Sequence, residues 1–400
     1  MFSRMGHSTL YLPASLVFFA SCFLPISSAW QFPPPPSFDA KQRPIYFHDD
    51  VDIISGSQFS GLKTYANLPY MNCFSEEEAK DNPYDIAVVG APFDTAVTGR
   101  PGARYGPTGI RVGSQRISPD AAWSVYTGKN PLKSWATIKD CGDVPLTWLD
   151  NTYALKQLDK AHSVVSGRKA ANLSHSVTPR TLTLGGDHTT TLSALRPLTS
   201  WQTLGTQQCL AAASQIMRNT PNVAPHRSVS KAHSYLRGLN HGTFLHIAHE
   251  EGLITNTSLH AGIRAPLARR KGDMRNDVRC GFHTITARDL DRLGTMGVIS
   301  RIKERVGEAN VYVSVDIDVL DPAFAPATGT AEPGGWSTRE LLTILDGLGG
   351  LRVVGADVVE VAPVYDNAGE TTVLAAAEVA FSLLGLMVDR PVQSLADQGM

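Results

Sequence analysis

No part of this chain constrains its fold more than Ser314–Gly335, SVDIDVLDPAFAPATGTAEPGG. It grows out of the apolar run Val311-Tyr312-Val313-Ser314-Val315, which has the composition of a buried strand. Asp316 and Asp318 stand at the C-terminal end of that run, and side chains at i and i+2 of a strand share a face. Two carboxylates so placed repel one another unless a cation lies between them or one keeps its proton. A third acid, Asp321, follows, and then a Pro/Gly-rich loop with no regular period. A strand closed by an Asp-Pro turn is the plain reading. Open α/β sheets bind ligands beyond the carboxyl ends of their strands, and the length of this loop favours a metal site.

Other segments repeat the strand-to-helix alternation. Strands are expected at Ile86–Gly90, ending at Asp143-Val144, at Thr181–Leu184, His260–Arg264 and Val353–Val359. Between them, helices are expected at about Tyr153–Val165 and at Leu341–Leu348, the latter opened by the capping box Ser337-Thr-Arg-Glu340. A final helix spans about Thr371–Met387. The alternation predicts an α/β fold: a three-layer parallel sheet with helices on both faces. There is no internal repeat.

The 400 residues and a net charge of −1 suit one large domain with appendages. The near-balanced charge argues against a nucleic-acid partner. At the N-terminus, Arg4 and His7 precede the apolar stretch Leu10–Ile26, and Ser27-Ser28-Ala29 follows as a small-residue cleavage pattern. Pro13 and Pro25 break that stretch, so residues 1–29 read as a cleaved signal peptide, with an uncleaved anchor as the alternative. The expected mature protein is secreted and holds no membrane segment. Residues 30–80 form a linker and extension that wraps the surface, 81–390 the main domain, and 391–400 a polar tail. Cys73, Cys141, Cys209 and Cys280 remain after cleavage, without a C-x-x-C spacing.

Four motifs together resemble the ureohydrolases, the manganese enzymes that include arginase and agmatinase. They are Gly90-Ala-Pro-Phe-Asp94 through Gly106-Pro107, Leu184-Gly-Gly-Asp-His188, Ser314–Gly335 and Val358-Val-Glu-Val-Ala-Pro363. Asn240-His-Gly-Thr243 and Ala362-Pro-x-Tyr-Asp366 are more similar to agmatinase than to arginase. The resemblance implies an arginase-like fold and Mn2+, two ions per chain in the family. It implies a small guanidino substrate, with agmatine hydrolysed to putrescine and urea; guanidinobutyrate is an alternative. A homo-oligomer is expected. By the same resemblance His188, Asp316 and Asp318 are metal ligands, and His241 is the proton-shuttling histidine, a plain loop histidine being the alternative. Glu360 pairs with the guanidinium through both oxygens, with Asp357 as its competitor. Asp187 and Asp321 are expected to brace loops.

One family motif is missing. Ureohydrolases carry Asp-x-His-x-Asp shortly after Gly-Gly-Asp-His, supplying half of the metal ligands. From His188 to His249 this chain has no Asp or Glu, although it holds 37 in all. Within the anomalous block 197–239, residues 201–239 read as a short polar helix and irregular chain, which would cost the sheet a central strand. Three explanations stay open: a block replaced by a retained intron or frameshift, a member that has lost catalysis, or substitute ligands. The substitutes on offer are His226, His233, His246, His249, Glu250 and Glu251, with a second metal site in doubt.

Overall fold

The structure is a computed structural model that describes residues 61–176, 178–198, 208–212, 239–267 and 270–393. All belong to one compact unit, Gly56–Met400. The signal peptide, the Pro-rich linker, His226, His233 and most of the tail lie outside the described residues.

Eight strands form one sheet: β1 (Ile86–Ala91), β2 (Ile138–Asp143), β3 (Arg180–Gly185), β4 (Gln208–Ala212), β5 (Leu259–Ile263), β6 (His283–Thr286), β7 (Asn310–Asp316) and β8 (Arg352–Val359). Their order is β2-β1-β3-β8-β7-β4-β5-β6, and every neighbouring pair is parallel. The helices are α1 (Glu76–Asp81), α2 (Gly106–Gly113), α3 (Asn151–Ser166), α4 (Thr190–Leu195), α5 (Phe244–Glu250), α6 (Arg270–Arg279), α7 (Asp289–Val306), α8 (Thr338–Gly347) and α9 (Thr371–Asp389).

Period-two alternation sorts the strand side chains between two cores. Ile86 and Val88 of β1 and Val311, Val313 and Val315 of β7 pack with Ile299, Ile344 and Leu383 of α7, α8 and α9. Ala87 and Val89 pack instead with Leu158, Ala161 and Val165 of α3. Tyr312 of β7 and Val354 of β8 join Leu192 and Phe244 of α4 and α5 on that second face. Strands β1 and β3 are buried along their whole length; β1 reads as an unbroken apolar run, whereas β3 also buries Arg180, Thr181 and Thr183. This is the three-layer architecture expected from the alternation. The capping box at Ser337 and Glu340 forms as expected and opens α8.

Two expectations need correction. The sheet does not lose a central strand within 197–239. Gln208–Ala212 forms β4, paired with Val311–Val315 on one side and with Leu259–Ala261 on the other. Gln-Cys-Leu-Ala-Ala has no β-branched residue. Its strand character comes from parallel neighbours that offer hydrogen bonds on both edges, a case of context overriding propensity. The second correction concerns residues 61–80, which do more than wrap the surface. Tyr65 and Ala66 are fully buried, and the Tyr65 hydroxyl donates to the carbonyl of Ala377 in α9 at 2.8 Å. The Asp140 carboxylate of β2 takes the Tyr65 backbone N–H at 2.7 Å and the Arg111 guanidinium of α2 through both oxygens. A disulfide joins Cys73 to Cys141, fixing the same segment to β2.

Helix α9 is, among the described residues, the one helix long and apolar enough to cross a membrane. It lies largely inside the core instead, with Ala376, Val379, Ala380, Leu383 and Leu384 buried.

His162 of α3 sits fully buried with neither ring nitrogen hydrogen-bonded, and burial pushes its pKa down to about 4. A folded-state pKa below the unfolded value of about 6.5 means the neutral ring stabilises the fold fully above that pH. That contribution fades as pH falls from about 6.5 towards about 4. Between pH 7 and pH 4 the native chain should therefore lose up to ~3 kcal/mol more than His162→Leu in urea unfolding. Equal acid losses in the two proteins would show that His162 titrates alike in the folded and unfolded chains.

Candidate active site

The sequence runs β1, β2, β3, then leaves a gap that β7 and β8 later fill between β3 and β4. Open parallel sheets place their ligand crevice beyond the strand ends where such an order reverses. The ends of β3, β7 and β8 meet there, and they carry His188, Asp316 and Glu360.

Backbone contacts lock these ends together. The chain leaving β3 passes so close to the β1 loop that a Cβ on Gly186 would lie 1.8 Å from the Phe93 carbonyl oxygen. Only glycine fits there. The Asp187 N–H then donates to that carbonyl at 2.7 Å, and the Glu360 N–H donates to the Gly186 carbonyl at 2.8 Å. Glu360 holds a left-handed φ of 62°, a strained conformation for a residue with a side chain. The strain turns its carboxylate into the crevice.

Glu360 is fully buried. Its Oε1 accepts from the His188 backbone N–H at 2.8 Å and meets His241 Nδ1 at 3.0 Å. Its Oε2 is buried with no hydrogen-bond partner. A carboxylate oxygen so placed needs a donor, and leaving it without one costs about 1–3 kcal/mol. Oε1 thus meets the backbone N–H of one histidine and the ring of another, and Oε2 is the oxygen without a partner. Asp357 is removed as a competitor, since it accepts from Tyr312, Thr191 and Ser314.

His241 bridges Glu360 and the β1 loop. The Thr98 N–H donates to its Nε2 at 3.1 Å, so the proton sits on Nδ1 and points at Glu360. The Thr98 hydroxyl lies 2.6 Å from the same Nε2 and accepts when that nitrogen is protonated. Burial works to lower the pKa of His241, but the hydrogen bond and charge of Glu360, helped by Asp187 and Asp318, raise it above its usual value.

His188 is oriented by a chain of hydroxyls. Asp357 takes the Ser314 hydroxyl proton at 2.6 Å, and Ser314 Oγ takes His188 Nε2–H at 2.8 Å. That leaves the Nδ1 lone pair 3.1 Å from Asp316 Oδ2. Burial, with the charges of His241 and His260, pushes His188 down to about 3. Burial, then Asp318 and Glu360, pushes Asp316 well up. The His188–Asp316 contact joins a ring held below its usual pKa to a carboxyl held above its own. Asp318 is buried and takes the Thr330 hydroxyl at 3.3 Å.

The loop-bracing residues behave as expected. Asp187 takes the N–H groups of Ala96 and Thr189. Burial and then the charge of Glu360 push its pKa up to about 7. Asp321 takes the N–H groups of Ala323, Gly334 and Gly335. The substitute-ligand cluster on α5 is structural: Arg279 holds His246 and Glu250, while Arg196 holds Glu251.

A family model for the arginase family matches residues 84–385. The chain belongs to the arginase family. Within it, the chain is 45% identical over 355 residues to a putative agmatinase of Schizosaccharomyces pombe, covering 86% of this chain and 87% of that one. It is 32% identical to a guanidinobutyrase of Pseudomonas aeruginosa, covering 80% and 90% of the two chains. The proclavaminate amidinohydrolase of Streptomyces clavuligerus superposes with a TM-score of 0.68 at 31% identity, covering 84% of this chain and 99% of that one.

Manganese is the metal this family implies. Imidazole and carboxylate donors suit such a hard dication, but the described residues do not fit two ions. No three His, Cys, Asp or Glu side chains converge on a common point among them. His188 and Asp316 are bonded to each other instead.

Sequence reading missed Ser314, Tyr312 and Asp357 as a unit that positions His188. The signal was there: Tyr312, Ser314 and Asp316 alternate along β7 and so share a face. Thr98 had no such signal, because a loop contact 143 residues from its partner has no period.

Replacing Glu360 with Gln keeps the side-chain shape and removes the charge. His241 should then titrate about one pH unit or more lower in an NMR titration of labelled histidine. An unchanged titration would assign the raised pKa to the other carboxylates.

Proposed function

We propose that this site takes a linear ω-guanidino compound, with agmatine as the first candidate, and hydrolyses it to urea and the amine. The observation that carries the reading is the buried Glu360 Oε2, an acceptor without a donor, set beside a histidine of raised pKa. A guanidinium N–H supplies the missing donor, in a charge-assisted hydrogen bond. Water adds to the guanidinium carbon, the bond to the alkyl nitrogen breaks, and the departing amine takes a proton to leave as an ammonium ion. His241 is placed to give that proton, since Glu360 holds the imidazolium in reach and Thr98 fixes the ring. Manganese dependence belongs to the proposal through the family alone, because the donors described do not fit two ions. These steps use only residues of the chain.

The names of the relatives, agmatinase and guanidinobutyrase, differ in the far end of the molecule, an amine or a carboxylate. Agmatine is preferred because the putative agmatinase is the more similar of the two. A second reading, a non-catalytic protein that keeps the fold, is favoured by the absence of any carboxylate between His188 and His249.

Urea release from agmatine and from guanidinobutyrate, in manganese-supplemented buffer, decides between them. The first reading expects turnover of agmatine and a loss of about 10- to 100-fold in kcat/KM on Glu360→Ala, the range of one charged hydrogen bond. No urea from either compound, with the fold intact, would leave the second.

We further propose a secreted protein, released after Ala29 and assembled as a homo-oligomer. The Cys73–Cys141 disulfide supports the first point, since such bonds persist in oxidising compartments. N-terminal sequencing of protein recovered from culture medium tests it. A mature chain beginning at Trp30 is expected, and retention inside the cell with Met1 in place would oppose it.

A further inference from the structure

A second concave site opens at the opposite pole of the sheet. A cavity of about 340 Å3 is lined by Ser174, His175, Arg352, Arg390, Pro391 and Gln393. That volume falls within the range of small-molecule pockets, about 300–1,000 Å3. Ser174 and His175 precede β3, Arg352 opens β8, and Arg390 and Pro391 follow α9. Glu360 stands just past the far end of β8. The cavity is thus a strand's length from the candidate active site, roughly 25 Å at about 3.3 Å per residue.

Two guanidinium groups share this cavity, and no Asp or Glu lines it. Arg352 spends Nε on the neutral Asn310 Oδ1 at 2.9 Å, and its two Nη groups meet no acceptor among the described residues. Arg390 gives Nη1 to the Gly350 carbonyl at 3.1 Å and to the Glu308 carboxylate at 2.9 Å. Glu308 is 82% exposed, and an ion pair so open to solvent offsets little of the charge. Asp389, beside Arg390 in sequence, is taken by Lys129 and by the Gly350 N–H. A third cation stands one layer deeper. Trp135 packs against the His175 ring at 4.5 Å and against the Arg180 guanidinium at 5.6 Å. Arg180 is buried, donates Nη1 to the carbonyl of Val353, next to Arg352, and holds Nη2 without a partner. Burial, opposed by Asp85, brings its pKa down to about 10, so it keeps its charge at neutral pH. Cations gathered in this way repel one another and raise the potential of the cavity, and a bound anion relieves both.

We infer that this cavity binds the oxyanion group of a small molecule, a phosphate or a carboxylate, through the guanidinium groups of Arg352 and Arg390. The planar fork of Arg352 Nη1 and Nη2 matches two oxygens of such a group. The inference does not depend on the guanidino reading. One pole of the sheet gathers carboxylates and suits cations, and the other gathers guanidinium groups and suits anions, so the two sites take different molecules.

The test is isothermal titration calorimetry of the purified full chain with inorganic phosphate and, separately, with succinate, against sodium chloride at matched ionic strength. One saturable site per chain is expected for at least one of the two oxyanions, and none for chloride. Binding of phosphate alone assigns the site to phosphorylated molecules, and binding of succinate alone to carboxylates. Arg352→Ala and Arg390→Ala, shown to be folded by circular dichroism, should each weaken that binding by about 10- to 100-fold, the range of one charged hydrogen bond. Arg352→Lys keeps the charge without the planar fork and should recover only part of the loss. Lys80→Ala, an exposed position on α1, should change nothing. No saturable binding of either oxyanion overturns the inference, and so does unchanged binding in the folded alanine variants. If Arg352→Ala fails to fold, Arg390→Ala, past the end of α9, decides alone.

Discussion

One carboxylate ties the open end of the sheet together. Glu360 reaches the β3 loop twice, by its own N–H to Gly186 and by Oε1 to the His188 N–H. The same oxygen holds His241, which in turn is fixed to the β1 loop through Thr98. Three chain segments far apart in sequence thus share one anchor, and its left-handed backbone is the strain they accept in return. With Oε1 meeting both histidines, Oε2 is the oxygen of Glu360 left without a hydrogen bond.

The site gathers buried acids more densely than its own cations can offset. Asp187, Asp316 and Asp357 all have raised pKa values, and burial is the largest cause for each. Hydrogen bonds from Ser314, Thr191 and Tyr312 limit the rise at Asp357, while Asp318 and Glu360 add to it at Asp316. Asp357 is therefore a structural acceptor, while Asp316 meets the His188 ring and the Asp318 N–H. A site of this kind suits cationic ligands.

Much of this was legible in the sequence because local rules governed it. The β7 run and the two aspartates that end it share a face by simple alternation, and Gly185-Gly186 announced a sharp exit from β3. The roles of His241 and Glu360 were available only through resemblance, because nothing local marks a lone histidine or glutamate in a loop. Strand β4 was illegible for the opposite reason. Its five residues have weak strand propensity and become a strand only because β5 and β7 leave a slot between them. The buried extension at Tyr65 was misread likewise, since its core partners Ala377 and Asp140 lie far along the chain.

By itself, then, the sequence determined the layered α/β architecture and the absence of acids between His188 and His249. Those follow from period, composition and motif, which act over a few residues. The tertiary structure alone decided that Glu360 holds both His188 and His241 and that Asp357 serves Ser314 and His188. It also decided that Gln208–Ala212 forms a strand between β5 and β7. Each of these depends on which strand ends stand side by side, and that is set by burial and hydrogen bonding across the whole sheet.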